Sequence, residues 1–427
     1  VLADVRNAIA ETGNERPDSL LLAEGSDWFW WLGDDNPTEL APLYDRIFRH
    51  HLTDACEQAG IVPPVDLRRP LKPHVDTSTE ASTVSELRYC AVKHRWTIIA
   101  PERKQRPGEG FPSDTNKPVA VEDDPFAAGN EAQTEAEIFR IPAAAEGVPW
   151  QVRVFANSFP ALRVEGEVVR EAVGLNDTVS GVGAHEVIVE TPDPGLELAD
   201  LKVEEIQIVL EAYRARLLDL RHDLRLRYVL IFKNKGREAG ASVHHAHSQL
   251  IATPIIPTVV VNELSSCREH FSRRERCLFC DLIGQEQRLA ERIYLETDRY
   301  IAMAPFASTT PFEAWILPKG HRHDFAFSSN DELRGVAVIL RDFLRRVRLL
   351  LDDPPYNLVL HTAPNVHPRP GHPDYWSTIE QDYHWHFEFA PRINRPAGFE
   401  WGSGYNINPT PPEEAARLLN AADPDRE

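Results

Sequence analysis

Two histidines and a glutamine alternate along the run His245-Ala246-His247-Ser248-Gln249, near the middle of the chain. The run follows an extended apolar segment, Tyr228–Phe232. If it forms a strand, the period of two puts His245, His247 and Gln249 on one face. A neutral imidazole can attack phosphorus and leave again, and a fixed amide can hydrogen-bond the oxygens of the transferring group. The spacing therefore indicates phosphoryl-transfer chemistry, with satisfied polar residues beside a turn as the alternative.

Composition limits the partners that such a site could serve. Lys+Arg total 46 against 66 Asp+Glu, a net charge of -20, which argues against nucleic acid or an anionic membrane as the main partner. An anionic substrate would therefore need a locally basic pocket. No apolar run approaches the roughly 20 residues that cross a bilayer, and the N-terminus lacks a secretion signal. We therefore expect a cytoplasmic protein that does not bind membranes.

The elements that position the alternating histidines occur twice along the chain. A strand, an amphipathic helix, a second strand and a histidine-bearing strand follow one another in each copy. In the first copy they are Glu186–Glu190, Leu201–Leu220, Tyr228–Phe232 and the segment around His247. In the second they are Glu313–Leu317, a helix opened by the capping box Ser329 with Glu332, Tyr356–Leu360 and His384–Phe389. This order predicts an α+β fold of two tandem units with antiparallel sheets and packed helices.

The domain boundaries follow from this repeat. Residues 86–260 form the N-terminal half, which carries His247, and residues 261–412 form the C-terminal half. Residues 1–80 are an extension of unknown role, with the aromatic patch Trp28-Phe29-Trp30-Trp31 and a predicted helix from Pro42 to Ala59. The polar, proline-containing stretch from Pro63 to Ser85 is predicted to be a linker.

Only two of the five cysteines lie close together, in Cys277-Leu278-Phe279-Cys280. In a chain without a secretion signal, this spacing indicates a metal knuckle and three free thiols, not a disulfide framework.

Several ordered motifs resemble a known family when they are taken together. They are Arg95–Pro107, Val152–Pro160, Asn234-Lys235-Gly236 with Ser242, Pro311–His321 and Gly398–Pro409. With the two histidine segments, they are similar to the galactose-1-phosphate uridylyltransferase family, a duplicated branch of the histidine-triad superfamily. The resemblance covers roughly Glu86 to Pro412 and implies that both halves are histidine-triad-like.

The resemblance implies a ping-pong nucleotidyl transfer. His247 would attack the α-phosphorus of a nucleoside-diphosphate sugar, and a sugar 1-phosphate would take the nucleotidyl group from the histidine. Gln249 would bond the phosphoryl oxygens, with Ser242 and Asn234 nearby. By the same resemblance, Arg103 and Arg106 would provide positive charge for the phosphates. Asn157 lies in the nucleotide-contacting segment, and Glu400 in one that resembles a hexose-phosphate segment.

The resemblance also implies metal sites, and the chain departs from the family pattern at the first of them. Asp124, Ala127 and Pro194 replace three of its four ligands. We therefore expect that site to be absent and His245 to position the active-site strand. At the second site, Cys277, Cys280, His321 and His361 would form one structural zinc centre. An alternative set there is Glu263, His361, His384 and His386. No organic cofactor is expected.

The resemblance leaves the nucleobase open. Ser248 and the cysteine knuckle favour the adenylyl-transferring branch, which includes ADP-sugar phosphorylases, whereas His386 and Glu263 favour the uridylyl branch. Transfer of UMP is expected because it is the commonest activity in the family. A nucleotide hydrolase of the histidine-triad type and a scaffold without catalysis are the alternatives. The resemblance also makes a homodimer one expected assembly.

Overall fold

The structure is a computed structural model, which describes Arg6, Ala8, Ile9 and residues 41–59, 61–62, 85–105, 121–145, 148–368 and 374–425. The chain divides into two compact units, Val1–Ser82 and Thr83–Glu427. In the first unit, helix α1 spans Ala41–Gln58 and buries Phe48, Leu52 and Cys56. The tryptophan-rich patch at residues 28–31 and nearly all of the predicted linker lie outside the described residues.

Fifteen strands and seven further helices are described in the second unit. The strands are β1 Glu86–Cys90, β2 Arg95–Ile99, β3 Glu137–Ile141, β4 Val152–Ala156, β5 Arg170–Val173, β6 Asn176–Val179, β7 Ala184–Val189, β8 Tyr228–Lys235, β9 His247–Thr253, β10 Ile293–Glu296, β11 Tyr300–Met303, β12 Ala314–Pro318, β13 Tyr356–His361, β14 His386–Pro391 and β15 Asn406–Asn408. The helices are α2 Val203–Leu220, α3 Thr258–Arg274, α4 Leu278–Leu289, α5 Asn330–Leu351, α6 Ile379–Asp382, α7 Gly398–Ser403 and α8 Pro412–Ala421.

The two sequence repeats build one sheet with a palindromic strand order. The order is β10-β11-β12-β14-β13-β8-β9-β7-β4-β3, and every neighbouring pair is antiparallel. Strands β8 and β13 meet at the centre, with Tyr356 opposite Lys235. The histidine-bearing strands β9 and β14 therefore lie at equivalent positions on either side of the centre, as two tandem α+β units predict.

Helices α2 and α5 pack against each other and cover one face of this sheet. Their apolar stripes, which include Ile206, Leu210, Leu340 and Phe343, are buried in the main core. The predicted capping box opens α5: Ser329 Oγ accepts from the Glu332 N–H, and the Glu332 carboxylate accepts from the Ser329 N–H. Among the described residues, no helix is both long and apolar enough to cross a membrane.

Candidate active site and metal clusters

His247 is the first residue of β9, and the residue is only 4% exposed. Its Nδ1 lies 2.7 Å from the carbonyl oxygen of His245. A carbonyl can only accept, so Nδ1 carries the proton and donates, which leaves the lone pair on Nε2. Burial lowers the pKa of His247 to about 4, so the ring is neutral at ordinary pH. His247 is therefore a neutral imidazole with its lone pair on Nε2, which is the state that attack on phosphorus requires.

His245 was expected on the same strand as His247, but β9 begins only at His247. Both of its ring nitrogens are already bonded: Nδ1 lies 2.7 Å from Asp124 Oδ2, and Nε2 lies 2.7 Å from the carbonyl oxygen of Thr191. Neither nitrogen is left to bind a metal in this arrangement. Asp124, which stands where the resemblance places a cysteine ligand, instead bonds the ring of His245, two residues before His247.

The side chain of Gln249 lies on the same sheet face as His185 of β7, next to Asn157, which follows β4. Its Oε1 is 2.9 Å from Nε2 of His185, a residue of β7, and Asn157 Nδ2 is 3.3 Å from the same nitrogen. The structure thus brings together Gln249 and Asn157, two residues that the sequence analysis assigned to the substrate site. His185 was missed because it lies 64 residues from its partner and belongs to no recognised motif.

Ser248 points to the opposite face of β9, into a buried polar network that the sequence did not reveal. Its hydroxyl contacts both the Tyr213 hydroxyl and the Glu190 carboxylate. Lys233 Nζ lies 2.8 Å from Glu190 Oε2 and 3.4 Å from the carbonyl oxygen of His247. Burial is the main cause that raises the pKa of Tyr213. Because these groups satisfy one another, they support the start of β9 on the face opposite the imidazole of His247.

The other predicted site residues lie in varied settings. Asn234 Oδ1 accepts a hydrogen bond of 2.7 Å from Asn357 Nδ2, across the central β8–β13 pair. Ser242 is exposed in the loop before His245. Glu400 accepts from the Ala397 N–H and caps α7. Arg103 is half-buried in a short 3₁₀ helix at residues 101–105, and residue 106, the second predicted arginine, lies outside the described residues.

The cysteine knuckle gathers two histidines, but they are not the expected pair. Cys277, Cys280, His321 and His384 form one cluster whose potential ligand atoms all lie within 4.8 Å of one another. The prediction that His361 is the fourth member was wrong. His361 ends β13 and turns toward Glu263 of α3, whereas His384, just before β14, places Nδ1 3.7 Å from Cys280 Sγ.

The donor set of this cysteine cluster fits zinc. Nδ1 of His321 lies 3.5 Å from Cys280 Sγ, and tetrahedral zinc places its ligand atoms about 3.3–3.8 Å apart. Nε2 of His321 and of His384 lies 2.9 Å from the carbonyl oxygens of Glu380 and Pro318. These carbonyls fix the proton on Nε2, so both Nδ1 lone pairs face the sulfurs, as in second-shell support of zinc ligands. A hydrogen bond from Cys277 is the main cause that lowers the pKa of Cys280 to about 3.

A second cluster lies beside the first and consists of Glu263, His361, His386 and Glu388. It differs from the alternative set of the sequence analysis in having Glu388 where that set had His384. Nδ1 of His361 lies 2.9 Å from Glu263 Oε2. The buried ammonium of Lys93 contacts the Glu388 carboxylate and lies 3.9 Å from Glu263 Oε1. Burial alone would lower the pKa of Lys93, but the two carboxylates outweigh it and raise the pKa. This cluster thus already contains a cation.

Comparisons with known proteins agree with the geometry. The family model "Galactose-1-phosphate uridyl transferase, N-terminal domain" matches residues 75–257, and the model of its C-terminal domain matches residues 263–398. An ADP-glucose phosphorylase from Arabidopsis thaliana is 32% identical over 341 residues, which cover 78% of this chain and 92% of the relative. This chain belongs to the galactose-1-phosphate uridylyltransferase family. The resemblance seen in the sequence is therefore confirmed.

Relatives within the uridylyltransferase family are similar over most of the chain. A galactose-1-phosphate uridylyltransferase from Thermotoga maritima is 28% identical, over 78% of this chain and 97% of its own length. A crystal structure of the Arabidopsis ADP-glucose phosphorylase with bound ADP-glucose covers 79% of this chain and 98% of its own, with a TM-score of 0.66 and 30% identity. The α+β fold is confirmed, and the protein is a nucleotidyltransferase of the galactose-1-phosphate uridylyltransferase type.

Proposed function

We propose that the enzyme moves a nucleoside monophosphate between a nucleoside-diphosphate sugar and a sugar 1-phosphate through a covalent bond to His247. The observation that carries this proposal is the hydrogen bond from His247 Nδ1 to the His245 carbonyl, which leaves Nε2 as a neutral nucleophile. A Nε2–P bond forms at the α-phosphorus while the bond to the bridging oxygen breaks, and the sugar 1-phosphate leaves. An acceptor sugar 1-phosphate reverses these steps and frees the imidazole.

Gln249 is the residue that we propose to hold the transferring group. Its amide nitrogen would donate to the nonbridging oxygens of the α-phosphoryl group, whose charge grows in the transition state. The overall charge of the protein is -20, so a phosphorylated substrate also needs local cations. Arg103 and Arg106, in the segment that resembles the family's arginine loop, are proposed for that role.

Two nucleobases are proposed for the donor. UMP is the first candidate, because most of the named relatives are galactose-1-phosphate uridylyltransferases. AMP is the second, supported by the 32% identity to an ADP-glucose phosphorylase and by the cluster that contains both knuckle cysteines. With an adenine donor, inorganic phosphate would be the acceptor and ADP the product, so the two candidates also predict different second substrates.

Intact-mass measurement after mixing the protein with UDP-glucose, ADP-glucose or GDP-mannose separately tests this proposal. The quench must be alkaline, since a histidine phosphoramidate is acid-labile. We expect a gain of one nucleoside monophosphate that identifies the base and is absent in His247→Ala. His222→Ala, at an exposed histidine, is the matched control and should retain the adduct. If no donor gives an adduct but free nucleotide is released, the result would support the hydrolase instead. If no donor gives an adduct and no nucleotide is released, the result would support the scaffold.

We also propose that Cys277, Cys280, His321 and His384 hold one structural zinc ion. When bound, the zinc would tie the start of α4 to the segments that precede α5 and β14. Two thiolates and two imidazoles form a closed tetrahedral set, which leaves no open position for substrate. The neighbouring cluster is proposed to contain Lys93 instead of a metal, because its ammonium already lies near both carboxylates.

A further inference from the structure

His185 and Gln249 face each other across the two strands β7 and β9. In the antiparallel register, Val187 lies opposite Gln249 and His185 lies opposite Ile251. His185 and Val187 are two residues apart, so His185 shares a sheet face with Gln249 as its diagonal neighbour. Long side chains can meet across such a diagonal, and here His185 Nε2 lies 2.9 Å from Gln249 Oε1.

A backbone amide fixes the tautomer of His185. The Ala161 N–H donates to Nδ1 of His185 over 3.0 Å. An imidazole nitrogen that accepts a hydrogen bond carries no proton, so the ring proton of neutral His185 must lie on Nε2. Nε2 therefore donates, and the atom that it meets on Gln249 has to be the acceptor oxygen. The imidazole thus fixes the amide of Gln249 with its oxygen toward the ring and its nitrogen away from it. Without a defined donor on His185, either orientation of the amide would fit.

The result is an amide group with its donor end left for a ligand. Within the described residues, no hydrogen bond from Nε2 of Gln249 to a protein group is found. Because His185 Nε2 carries the ring proton, Asn157 Nδ2, 3.3 Å away, does not donate to it and is a second amide donor beside the ring. The orientation of Asn157 is fixed because its Oδ1 accepts from the Phe159 N–H over 2.8 Å. Two oriented amides beside one imidazole suit the oxygens of an anion.

We propose that His185 is a positioning residue for the transfer reaction, which fixes the amide of Gln249 so that its N–H groups face the α-phosphoryl group. This inference rests on the proposed function, because it assigns Gln249 its role there. His185 need not touch the substrate. It acts through the hydrogen bond to Gln249 Oε1. The backbone N–H of Ala161 orients His185, and His185 in turn orients the amide of Gln249.

The kinetic test is a double-mutant cycle on donor turnover. His185→Phe removes both ring hydrogen bonds with little change in size and should reduce kcat/KM by up to about 100-fold. Gln249→Ala should lose more, about 100- to 1,000-fold, because the donor itself is gone. The double variant should be no slower than Gln249→Ala. Multiplied losses in the double variant would overturn the proposal. His185→Gln, which keeps a donor near the Nε2 position, should recover part of the rate, and His222→Phe should lose none.

Two further readouts separate positioning from a general loss of structure. Replacement of a nonbridging oxygen at the α-phosphorus of the donor by sulfur gives two phosphorothioate isomers, and the wild-type enzyme should turn them over at different rates. In His185→Phe this rate difference should disappear, while the melting temperature stays close to that of wild type. Long-range ¹H–¹⁵N spectra should show His185 protonated on Nε2. Protonation on Nδ1 would overturn the proposal even if the wild-type protein formed no covalent adduct, so a failure of the proposed function and a failure of this inference are distinguishable.

Discussion

Replacement of His247 by asparagine should remove a stability penalty that the wild-type protein suffers in acid. Burial is the main cause that lowers the pKa of His247 from 6.5 to about 4 in the folded state. Between these two pH values, the unfolded chain binds a proton at this residue and the folded chain does not. The free energy of unfolding therefore falls as the pH falls through this window, and above about pH 6.5 the penalty is absent.

The size of the penalty follows from the width of the window. One pKa unit corresponds to about 1.4 kcal/mol, so the full effect below pH 4 is roughly 3 kcal/mol. Near pH 5 it is about 2 kcal/mol, because His247 is then still mostly neutral in the folded protein. The side chain is only 4% exposed, so solvent screening reduces this figure little.

Urea unfolding near pH 5 and near pH 7.5 measures the effect. The difference in unfolding free energy between His247→Asn and wild type should shift by about 2 kcal/mol in favour of the variant at the lower pH. His222→Asn, at an exposed histidine, should show little shift. The acid limb of kcat/KM should likewise lie below pH 6.5. Parallel pH dependence in wild type and His247→Asn, or an imidazole resonance of His247 that titrates near 6.5, would refute the reasoning.

Three further changes test the surroundings of the site. Asp124→Ala should lower the free energy of unfolding by about 1–3 kcal/mol, because the ring of His245 loses a buried acceptor; an unchanged urea midpoint would contradict this. Cys277→Ser should reduce bound zinc from about one ion per chain to nearly none, which plasma mass spectrometry of dialysed protein measures against wild type. Lys93→Ala should leave the carboxylates of Glu263 and Glu388 without their cation and admit about one additional metal ion. An unchanged metal content in that variant would show that Lys93 does not take the place of a metal in the cluster.

The sequence predicted the features that depend on local spacing. The capping box at Ser329 involves residues three apart, and it opens α5 where expected. The alternation of His247 with Gln249 and the Cys277–Cys280 pair are also short-range patterns. Their chemistry could be recognised because the side chains that act together are near in sequence.

Partners that are far apart in the sequence and meet only in the folded chain were missed. Asp124 lies 121 residues from His245, and His185 lies 64 residues from Gln249. No spacing rule connects such pairs, because the contact exists only after the sheet has formed. The error over His361 has the same cause. Residues at 361 and 384 both lie near the ends of strands, and only the packing of α3 decides that one of them meets Glu263 while the other meets the cysteines.

The two halves of the molecule differ in what lies beside their second histidine, and this difference supports the proposal that His247 is the nucleophile. In β14 the pattern of β9 recurs, and Nδ1 of His386 lies 3.2 Å from the carbonyl oxygen of His384, as Nδ1 of His247 lies 2.7 Å from that of His245. Two positions after the second histidine, however, the first half has the amide of Gln249 and the second half has the carboxylate of Glu388.

This difference favours different roles for the two histidines. A neutral amide can donate hydrogen bonds to a phosphoryl group, whereas a carboxylate repels it and is stabilised by a cation, which here is Lys93. His386 Nε2 lies 3.4 Å from Glu388 Oε1, whereas the Nε2 lone pair of His247 faces no such carboxylate among the described residues. The same backbone arrangement thus places one histidine beside an amide and the other beside an acid.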